Sequence, residues 1–373
     1  MTQPRGQRPK VLHFVTGGFS GATQVAVDLV RAHGASGRFD ALLVLRRKRT
    51  TLPERVRALQ ADGLRVELVP GWSHAATVWA LASLCRRFQP DILVAHGYSE
   101  HLWGRYAGLL AGVRHLVHVE HNSRERYNAW RLVQARWLAR RTDAIVGCSE
   151  GVRSALLGYG FPQDRVHAIP NGIRLEPYAN APAHTFVQRI PGIVMAARFA
   201  RQKDHATLLQ AVALLRTRGL RPPVLLAGGG KASARRAAER LAQTLGLADQ
   251  VTFLGHFNDV PGVVNRHEIC VLSTHYEGMP LSLIEGMAAG CAVVGSQVVG
   301  VQEVVDSGRT GLLVEHANPQ ALADALATLL NQPQDAARMA AAAHAEVLQR
   351  YGLNTMTDRY EALLGSLLEK SLP

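Results

Sequence analysis

Short apolar segments alternate with amphipathic helical segments along nearly the whole chain, and this alternation restricts the fold more than any other feature. Apolar strands joined by helices form parallel sheets that are covered by helices on both faces. The chain has 373 residues, which at about 100–200 residues per domain corresponds to two domains. The predicted strands are Val11–Val15, Ala41–Leu45, Arg65–Val69, Asp91–Ala95, Leu116–Val119, Ala144–Cys148 and Val166–Ile169, followed by Ile193–Ala197, Val224–Ala227, Val251–Leu254, Ile269–Ser273, Ala292–Gly295 and Gly311–Val314.

A break in the alternation separates the two series of strands. It begins at Pro170-Asn171-Gly172 and continues through residues 177–191, where proline and glycine disfavour regular structure. We therefore predict an α/β chain with two Rossmann-like doubly wound domains, over residues 1–177 and 187–352. Parallel doubly wound sheets bind ligands at the carboxyl ends of their strands, so two such domains predict a ligand in a cleft between them.

The positive charge of the chain is concentrated in its first half. The formal net charge is +13, and residues 1–177 contain 25 Lys and Arg against 13 Asp and Glu. A domain with this excess is attracted to anionic surfaces, which include nucleic acid, an acidic membrane face and an anionic acceptor. Arginine-rich codon usage is an alternative explanation for part of the excess.

The cysteines and apolar segments predict a cytoplasmic protein. The four cysteines lie among apolar residues and form no C-x-x-C pair, which is typical of buried, reduced thiols in the cytosol. The longest uncharged apolar stretch, residues 286–295, is far shorter than the ~20 residues that a membrane-spanning helix needs. The run Val11–Val15 is also shorter than a signal-peptide core of ~7–15 residues.

The segment from Glu277 to Glu285, EGMPLSLIE, is the most informative motif. It follows a predicted strand and opens a helix near Leu281, so the amides of Leu281 and Ser282 are expected at a helix N-terminus that suits a phosphate. Carboxylates accept hydrogen bonds from sugar hydroxyls, so the two Glu are expected to hold the sugars that flank a diphosphate. Alternatively, Glu277 is a loop charge and Glu285 a charge stabilised by the helix dipole.

Two cations follow the strand Ile193–Ala197. Arg198 ends the strand and Lys203 precedes the next helix. Arginine can bind phosphate oxygens in a fork and lysine adds a point charge, so the pair fits a diphosphate that becomes a leaving group. A solvated basic turn is the alternative, because Arg201 is nearby.

Two glycine-rich turns are candidates for phosphate loops. The first strand leads into Thr16-Gly17-Gly18-Phe19-Ser20-Gly21, which permits close approach of a ligand but is not the G-x-G-x-x-G of a nicotinamide site. The run Gly228-Gly229-Gly230-Lys231 lacks the Ser or Thr of a P-loop, because Ala232 follows it. We interpret this second turn as a tight connection between a strand and a helix.

A histidine pair surrounds the end of the fifth strand, in His118-Val119-Glu120-His121-Asn122. Strand alternation places His121 beyond the strand, where it could contact sugar hydroxyls or exchange a proton. His118 is expected inside the packing of the sheet. A structural role for His121 is the alternative.

Taken in order, these motifs resemble those of the family 4 glycosyltransferases, a retaining family with the GT-B fold. The resemblance covers nearly the whole chain. It rests on the glycine loop at residues 17–21, His121, Ser149 after Cys148, Pro170-Asn171-Gly172, Arg198 with Lys203, Glu277 with Glu285, and the turn at Gly300 and Glu303.

The resemblance implies a role for each candidate residue. Arg198 and Lys203 would bind the donor diphosphate, Glu277 the donor sugar and Glu285 the ribose, while Phe257 would lie against the nucleobase. The final helix, about residues 354–373, would cross back to the N-terminal domain. We assign catalysis to His121, Arg198, Lys203 and Glu277, acceptor binding to Asn122 and Asn171, and donor binding to Gly17, Gly18, Phe257, Met279, Pro280, Leu281, Ser282 and Glu285.

The resemblance also implies the chemistry. The acceptor hydroxyl would attack the face from which the phosphate leaves, the β-phosphate would take the proton, and configuration would be retained. No Asp-x-Asp occurs in the sequence, so we expect no obligatory metal and no cofactor. The sequence departs from the family pattern at two turns that are expected to border the ligand. Ala22-Thr23-Gln24 follows the glycine loop where many relatives carry a Glu, and Val299-Gly300-Val301 stands where a Gly-Gly pair is usual.

The basic first half is expected to hold the acceptor. Residues 124–141 are basic, aromatic and predicted to be helical, with Trp130 and Trp137 on one face. Such a helix can lie in a membrane interface, so we predict peripheral association with an anionic inner membrane face and a lipid-linked glycan acceptor in polysaccharide or lipopolysaccharide synthesis. Alternatively, both Trp pack into the core.

The donor is expected to be a UDP-sugar or a GDP-sugar that supplies a hexose or N-acetylhexosamine. Two other functions fit parts of the sequence. A nucleotide-sugar epimerase would isomerise the sugar without any acceptor. A nucleic-acid-binding protein would use the basic charge, but the ordered basic recognition motifs expected of one are absent from the sequence.

Overall fold

The structure is a computed structural model, and it describes residues 8–124, 127–179, 189–257 and 259–369. The described residues form two compact units. One unit comprises residues 1–172 together with residues 353–373, and the other comprises residues 173–352. The sequence placed the end of the first domain at residue 177. The second unit begins earlier because the Ile173 amide donates a hydrogen bond of 2.9 Å to the Tyr351 carbonyl of the same unit. The predicted start of the second domain, residue 187, lies outside the described residues.

The first unit contains, in its described part, a parallel sheet of seven strands in the order β3-β2-β1-β4-β5-β6-β7. Both faces carry a buried apolar cluster, so the sheet is covered on both sides as predicted. Its strands are β1 (Lys10–Thr16), β2 (Asp40–Arg46), β3 (Val66–Val69), β4 (Ile92–His96), β5 (His115–Glu120), β6 (Ala144–Gly147) and β7 (Val166–Ala168). Its connecting helices are α1 (Gly21–Ser36), α2 (Pro53–Ala61), α3 (His74–Phe88), α4 (Tyr98–Ala111), α5 (Ala129–Ala139) and α6 (Glu150–Gly158).

The second unit contains, among its described residues, a parallel sheet of six strands in the order β10-β9-β8-β11-β12-β13. Its strands are β8 (Ile190–Ala196), β9 (Val224–Ala227), β10 (Val251–Gly255), β11 (His267–Leu272), β12 (Ala292–Ser296) and β13 (Leu312–Val314). Its helices are α7 (His205–Thr217), α8 (Ala232–Thr244), α9 (Val260–Val264), α10 (Leu281–Ala288), α11 (Val299–Gln302), α12 (Pro319–Asn331) and α13 (Pro333–Arg350).

Each sheet reverses its strand order once, between β1 and β4 in the first unit and between β8 and β11 in the second. In doubly wound sheets the crevice at this reversal is where ligands bind, outside the carboxyl ends of the strands. The candidate residues Gly17 and Gly18 follow β1, Arg198 follows β8, and Glu277 follows β11. The prediction of two doubly wound parallel sheets is therefore confirmed.

The last helix, α14 (Leu353–Glu369), belongs to the first unit. Its apolar side chains Met356, Tyr360, Leu364 and Leu367 are buried in the core cluster of that unit. The return of the final helix to the N-terminal domain is confirmed, although the helix begins before the predicted residue 354 and residues 370–373 lie outside the described part.

The helix predicted over residues 124–141 is shorter in the structure. α5 begins at Ala129 because the Asn128 side chain caps it, accepting a hydrogen bond of 2.8 Å from the Arg131 amide. Residues 125 and 126 lie outside the described part. Within the described residues, no helix has the length and apolar composition that crossing a membrane requires.

Candidate active site

The Lys203 ammonium and the Glu277 carboxylate form an ion pair at the carboxyl edge of the second sheet. Lys203 lies between β8 and α7, and Glu277 lies between β11 and α10, so the pair joins the two loops at the reversal of strand order. The side chains are only 14% and 7% exposed. The Coulomb attraction between two charges shielded from water in this way is stronger than between two charges on the surface.

Neighbouring loops hold Glu277 in place. Its Oε1 accepts a hydrogen bond of 2.8 Å from the Thr274 hydroxyl, and the Thr274 amide donates to the Ser296 hydroxyl at 3.0 Å. The Gln202 side chain donates to the Tyr276 carbonyl at 2.7 Å, which ties the Lys203 loop to the Glu277 loop a second time. Thr274 and Gln202 were not identified from the sequence, because no motif marks residues whose task is to hold another side chain.

Gly300 supports the same loop from the other side. A Cβ atom at this position would lie 2.5 Å from the Gly278 carbonyl oxygen and 2.7 Å from that of Glu277. Distances this short exclude a side chain, so the turn that the sequence analysis singled out at Gly300 is a close backbone contact with the Glu277 loop.

Arg198 differs from Lys203 in both its exposure and its contacts. Its side chain is exposed at the end of β8, and it has no ion pair or hydrogen bond among the described residues. Arg201, three positions later in the same loop, is exposed and equally without a partner in this part of the chain. In the part of the chain that the structure describes, the loop after β8 therefore presents one largely buried, paired cation, Lys203, and two exposed guanidinium groups, those of Arg198 and Arg201.

The helix N-terminus predicted near Leu281 is confirmed, with α10 starting at that residue. One detail of the prediction is wrong: the Leu281 amide is not open, because it donates to the Met279 carbonyl at 3.1 Å. The amides of Leu283 and Ile284 both donate to the Pro280 carbonyl. Among the described residues, the Ser282 amide is the donor of this turn that has no acceptor.

Glu285 lies on α10 one turn after its start and is partly buried. Desolvation of the carboxyl raises the pKa of Glu285 to about 7. The Glu285 charge also contributes to the raised pKa of the buried Tyr178 phenol and of the buried Cys270 thiol, so these groups are neighbours. The carboxyl thus lies at the border between the core and solvent, where it can accept hydrogen bonds from hydroxyl groups.

The remaining donor-side candidates occupy the same edge of the second sheet. Met279 and Pro280 are buried in the turn before α10, and Phe257 is half-buried in the loop after β10. The turn at Gly228–Gly230 connects β9 directly to α8, as predicted. Its backbone packs against the end of β8, since a Cβ at Gly228 would lie 2.0 Å from the Ala197 carbonyl oxygen.

In the first unit, Gly17 is buried and Gly18 is exposed at the end of β1. The Gly17 amide donates to the Arg46 carbonyl at 2.8 Å, and a Cβ on Gly17 would lie 2.7 Å from the same oxygen. The end of β2 therefore lies directly against Gly17, and of these two glycines Gly18 is the accessible one.

His121 and Asn122 follow β5 and are both half-buried. Their backbone amides donate to the Glu120 carboxylate at 2.8 and 3.2 Å, which fixes the turn. Burial lowers the pKa of His121 to about 4, so the ring is neutral near pH 7. His118 is fully buried, as predicted. Asn171 is also buried, after β7, near the boundary of the unit.

One ring nitrogen of His121 contacts another histidine that sequence reasoning missed. Nε2 of His121 lies 3.4 Å from Nδ1 of His96, the last residue of β4. Nδ1 of His121 is buried and has no hydrogen-bond partner among the described residues. The sequence did not indicate a role for His96, because a single histidine at the end of a buried strand belongs to no recognisable motif.

One group of side chains in the described residues has the types and spacing of metal ligands: His101, His118 and Glu120, whose ligand atoms lie within 4.8 Å of one another. Both ring nitrogens of His101 are engaged, Nδ1 with the buried Arg105 guanidinium at 2.5 Å and Nε2 with the Tyr127 hydroxyl at 2.8 Å. A cation would have to displace one of these bonds beside a guanidinium.

The tryptophans of α5 lie on the outside of the first unit. Trp130 and Trp137 are 71% and 44% exposed, so the alternative that both pack into the core is wrong. Two further tryptophans of this unit are exposed, Trp72 before α3 and Trp79 within it, at 84% and 69%. We call these four residues the aromatic surface.

Ring contacts connect the helices that carry the aromatic surface. His74 on α3 stacks on Trp103 of α4 at 4.1 Å between ring centroids, and Tyr106 of α4 stacks on Trp137 of α5 at 6.1 Å. The Arg141 guanidinium lies 3.9 Å from the Trp137 ring centroid. Aromatic rings therefore contact one another between α3 and α4 and between α4 and α5, and the Arg141 guanidinium lies against the ring of Trp137.

Two parallel doubly wound units in one chain, with the candidate residues at their carboxyl edges, define the GT-B class of glycosyltransferases. The architecture matches that of HepE from Anabaena, crystallised with UDP and glucose, with a TM-score of 0.84 over 96% of this chain and 100% of that one, at 21% sequence identity.

Two family models cover most of the chain. The model "Glycosyltransferase Family 4" matches residues 19–177, and the model "Glycosyl transferases group 1" matches residues 190–332. The chain is 29% identical over 327 residues to the D-inositol 3-phosphate glycosyltransferase of Xylanimonas cellulosilytica, covering 78% of this chain and 76% of that protein. It is 33% identical to EpsF of Bacillus subtilis over 218 residues, 54% of this chain, and thus spans 56% of the length of EpsF. The chain belongs to the group 1, family 4 glycosyltransferases.

Proposed function

We propose that this chain transfers a hexosyl or N-acetylhexosaminyl group from a nucleoside diphosphate sugar to a glycan acceptor, with retention of configuration. The observation that carries the proposal is the buried Lys203–Glu277 pair beside the exposed Arg198, at the reversal of strand order in the second unit. The cation that we propose for the leaving phosphate and the carboxylate that we propose for the sugar are neighbours in this pair.

The diphosphate would be bound by cations and one amide. Lys203 gives one hydrogen bond to Glu277, and an ammonium has three donors, so it can contact a phosphate at the same time. Arg198 has no other partner in the described residues and supplies a fork of donors. The open Ser282 amide at the start of α10 would complete the site.

The sugar and nucleoside would be bound by the flanking groups. Glu277 would accept hydrogen bonds from the transferred sugar, Glu285 from the ribose, and Phe257 would lie against the base. In the reaction, the bond between the anomeric carbon and the phosphate oxygen breaks while the acceptor oxygen bonds to the same face of that carbon. The acceptor's proton passes to the departing β-phosphate, whose charge Arg198 and Lys203 would stabilise.

A uridine nucleotide is the favoured donor, because HepE, whose fold this chain shares, was crystallised with UDP and glucose. Thermal unfolding in excess UDP, GDP and ADP tests this choice. A ligand at 100 times its dissociation constant stabilises the folded state by about 2.7 kcal/mol. We expect a clear rise in the melting temperature with UDP, and no rise with any of the three would contradict the proposal.

A matched pair of variants tests the phosphate site. Arg198→Ala should weaken UDP binding at least tenfold, whereas Arg201→Ala, in the same loop and equally exposed, should change it far less. Neither arginine has a partner among the described residues, so both variants should keep the stability of the wild type without nucleotide. Equal losses in both variants would indicate diffuse electrostatic attraction, not a site at Arg198.

The acceptor is proposed to be lipid-linked, because the basic first half of the chain carries the aromatic surface. Tryptophan and arginine side chains together favour the interface of an anionic membrane. The chain would then work at the inner face of the membrane, as a peripheral protein.

Flotation with vesicles of phosphatidylglycerol and of phosphatidylcholine tests the membrane proposal. We expect the protein to float with the anionic vesicles and to lose much of this binding in the double variant Trp72→Ser, Trp130→Ser. The control is Leu348→Ser, which removes an exposed apolar side chain of the second unit. Equal binding to both vesicle types, or no binding to either, would contradict the proposal.

A further inference from the structure

A buried ion pair spans the carboxyl end of β1 in the first unit. Arg46 ends β2 and Glu100 lies in the first turn of α4, which follows β4, and the sheet order places β1 between β2 and β4. Arg46 Nη1 lies 3.5 Å from Glu100 Oε1, and both side chains are only 6% exposed. The strand order reverses between β1 and β4, so the pair marks the crevice at which doubly wound sheets bind ligands.

A second cation contacts the same carboxylate oxygen. Lys48 Nζ lies 3.0 Å from Glu100 Oε1, and the Lys48 side chain is 34% exposed. Two positive charges therefore share one carboxylate. Arg46 Nε is buried and has no acceptor among the described residues. Donors outnumber acceptors at this edge of the sheet, and a bound anion would correct the imbalance.

The N-terminus of α3 adds positive charge at the same edge of the sheet. α3 begins at His74, whose exposed imidazole stacks on Trp103 of α4 at 4.1 Å between ring centroids. Desolvation is the largest cause that lowers the pKa of His74. Three cations lower it further: Arg46, Arg131 and Lys48. The positive end of the helix dipole, the His74 ring and these cations are therefore neighbours.

The loop that carries Lys48 lies beside the accessible glycine of the first unit. The Lys48 amide donates to the Thr51 hydroxyl at 2.8 Å, and a Cβ on Gly18 would lie 3.8 Å from the Thr50 hydroxyl oxygen. Trp72 of the aromatic surface precedes His74 by two positions. The cations therefore border both the glycine loop and the aromatic surface.

A phosphate suits this arrangement better than a carboxylate. The donors come from separate elements, the loop after β2 and the start of α3, and the oxygens of a phosphate point in several directions. Lys48 has three N–H donors, so its contact with Glu100 leaves donors for a ligand. Hydrogen bonds in which both partners are charged are short and strong, so a phosphate would use the surplus of cations.

We propose that Lys48 and His74 bind a phosphate group of the acceptor at the carboxyl edge of the first sheet. Arg46 is a positioning residue, because its side chain is buried and holds Glu100, which in turn contacts Lys48. The identification of the ligand as the acceptor rests on the proposed function. A position that borders both the glycine loop and the aromatic surface fits the phosphate that joins a glycan to its lipid.

Isothermal titration calorimetry with sodium phosphate tests the site. The full-length Arg198→Ala variant is used, because the proposed donor site of the second unit also attracts phosphate and this change weakens it. We expect saturable binding of phosphate and no saturable binding of acetate at the same concentrations. An Arg198→Ala chain that bound no phosphate, or that bound acetate equally well, would overturn the proposal.

A matched pair of variants locates the binding. In the same background, Lys48→Ala should weaken phosphate binding about three- to tenfold, as expected for one partly screened charged hydrogen bond, whereas Arg49→Ala should change it far less. Arg49 is exposed in the same loop and has no ion pair or hydrogen bond among the described residues. Equal losses in both variants would show attraction to the overall charge and would overturn the proposal.

His74→Phe covers the case in which Lys48→Ala does not fold. A phenyl ring can keep the stacking on Trp103 but has no N–H to donate. We expect a loss of phosphate affinity in this variant too. An affinity equal to that of the Arg198→Ala background would overturn the assignment of His74.

Glucose 6-phosphate distinguishes a phosphate ester from free phosphate. We expect the Arg198→Ala chain to bind this ester at least as tightly as inorganic phosphate, with the same loss in Lys48→Ala. Weaker binding of the ester would show that the site admits only the free anion. That outcome would overturn the clause on the acceptor.

Vesicle flotation distinguishes the acceptor from the head groups of the membrane. Lys48→Ala should bind phosphatidylglycerol vesicles like the wild type, because its aromatic surface is unchanged. A loss as large as that of the double tryptophan variant would assign Lys48 to lipid head groups and would overturn the clause on the acceptor.

Nucleotide binding separates this proposal from the proposed function. Lys48→Ala should bind UDP as tightly as the wild type, since Lys48 and Arg198 lie in different units. A chain that bound phosphate through Lys48 but bound no nucleotide would contradict the proposed function and leave the phosphate site standing. A chain that bound UDP but showed no phosphate binding dependent on Lys48 would overturn the phosphate site alone.

Discussion

The Glu277 carboxylate, at the start of the segment from Glu277 to Glu285, forms an ion pair with the Lys203 ammonium, 74 positions earlier in the chain. Both side chains are largely shielded from water. The Thr274 hydroxyl donates a further hydrogen bond to the Glu277 oxygen that contacts Lys203. The two charges that the sequence assigned to separate ligand groups therefore hold each other, so removing one of them affects folding as well as binding.

Removing one partner of this pair is expected to destabilise the folded state more than removing both charges. Lys203→Met should lower the free energy of unfolding by about 3 kcal/mol, the low end of the range for breaking a buried pair, because a carboxylate is left without its cation. The double variant Lys203→Met, Glu277→Gln should recover most of this loss. Urea denaturation of the single and double variants measures the coupling. If the loss of unfolding free energy in the double variant equalled the sum of the losses in the two single variants, the interaction within the pair would contribute no stability.

Gly300→Ala is expected to disturb the Glu277 loop. The added Cβ would meet the carbonyl oxygens of Gly278 and Glu277 at 2.5 and 2.7 Å, and backbone atoms cannot move aside cheaply. We expect a loss of about 1–3 kcal/mol, typical of overpacking, together with weaker UDP binding. Gln302→Ala, an exposed change on the same helix, is the control. A Gly300→Ala variant as stable as this control would contradict the close contact.

Gly17 and Gly21 belong to one glycine loop but should respond differently to alanine. A Cβ at Gly17 would lie 2.6 Å from the Thr51 hydroxyl oxygen and 2.7 Å from the Arg46 carbonyl oxygen, whereas nothing lies within 4 Å of a Cβ at Gly21. Gly17→Ala should therefore lower the melting temperature, and Gly21→Ala should leave it unchanged or raise it, because Gly21 opens α1. The reverse order would contradict the observed packing.

The raised pKa of Glu285 predicts a pH dependence of stability. Between the ordinary pKa of 4.5 and about 7, the folded state holds a proton that the unfolded state has released. The contribution of this group is therefore complete below pH 4.5 and is lost as the pH rises towards 7. Glu285→Gln should flatten the fall in the melting temperature between pH 5 and 8. A wild-type profile identical to that of the variant would contradict the raised pKa.

The local pattern of the sequence was sufficient to predict the strands and the positions of the loops that follow them. All the predicted strands are present, and the start of α10 and the turn at Gly228–Gly230 are where the sequence placed them. These features depend on local patterns, since a buried strand is an apolar run and a turn needs glycine or proline. The helix over residues 124–141 was too long because the Asn128 cap acts within a polar run that carries no clear period.

Tertiary structure alone decided which side chains meet. No spacing in the sequence pairs Lys203 with Glu277, exposes Trp130 and Trp137, or pairs His33 with Glu361. These relationships join residues from separate strands and helices, up to 328 positions apart for His33 and Glu361, and they arise only when those elements pack. A local sequence pattern records which residue is at each position, while protonation, pairing and exposure depend on neighbours that folding brings from elsewhere in the chain.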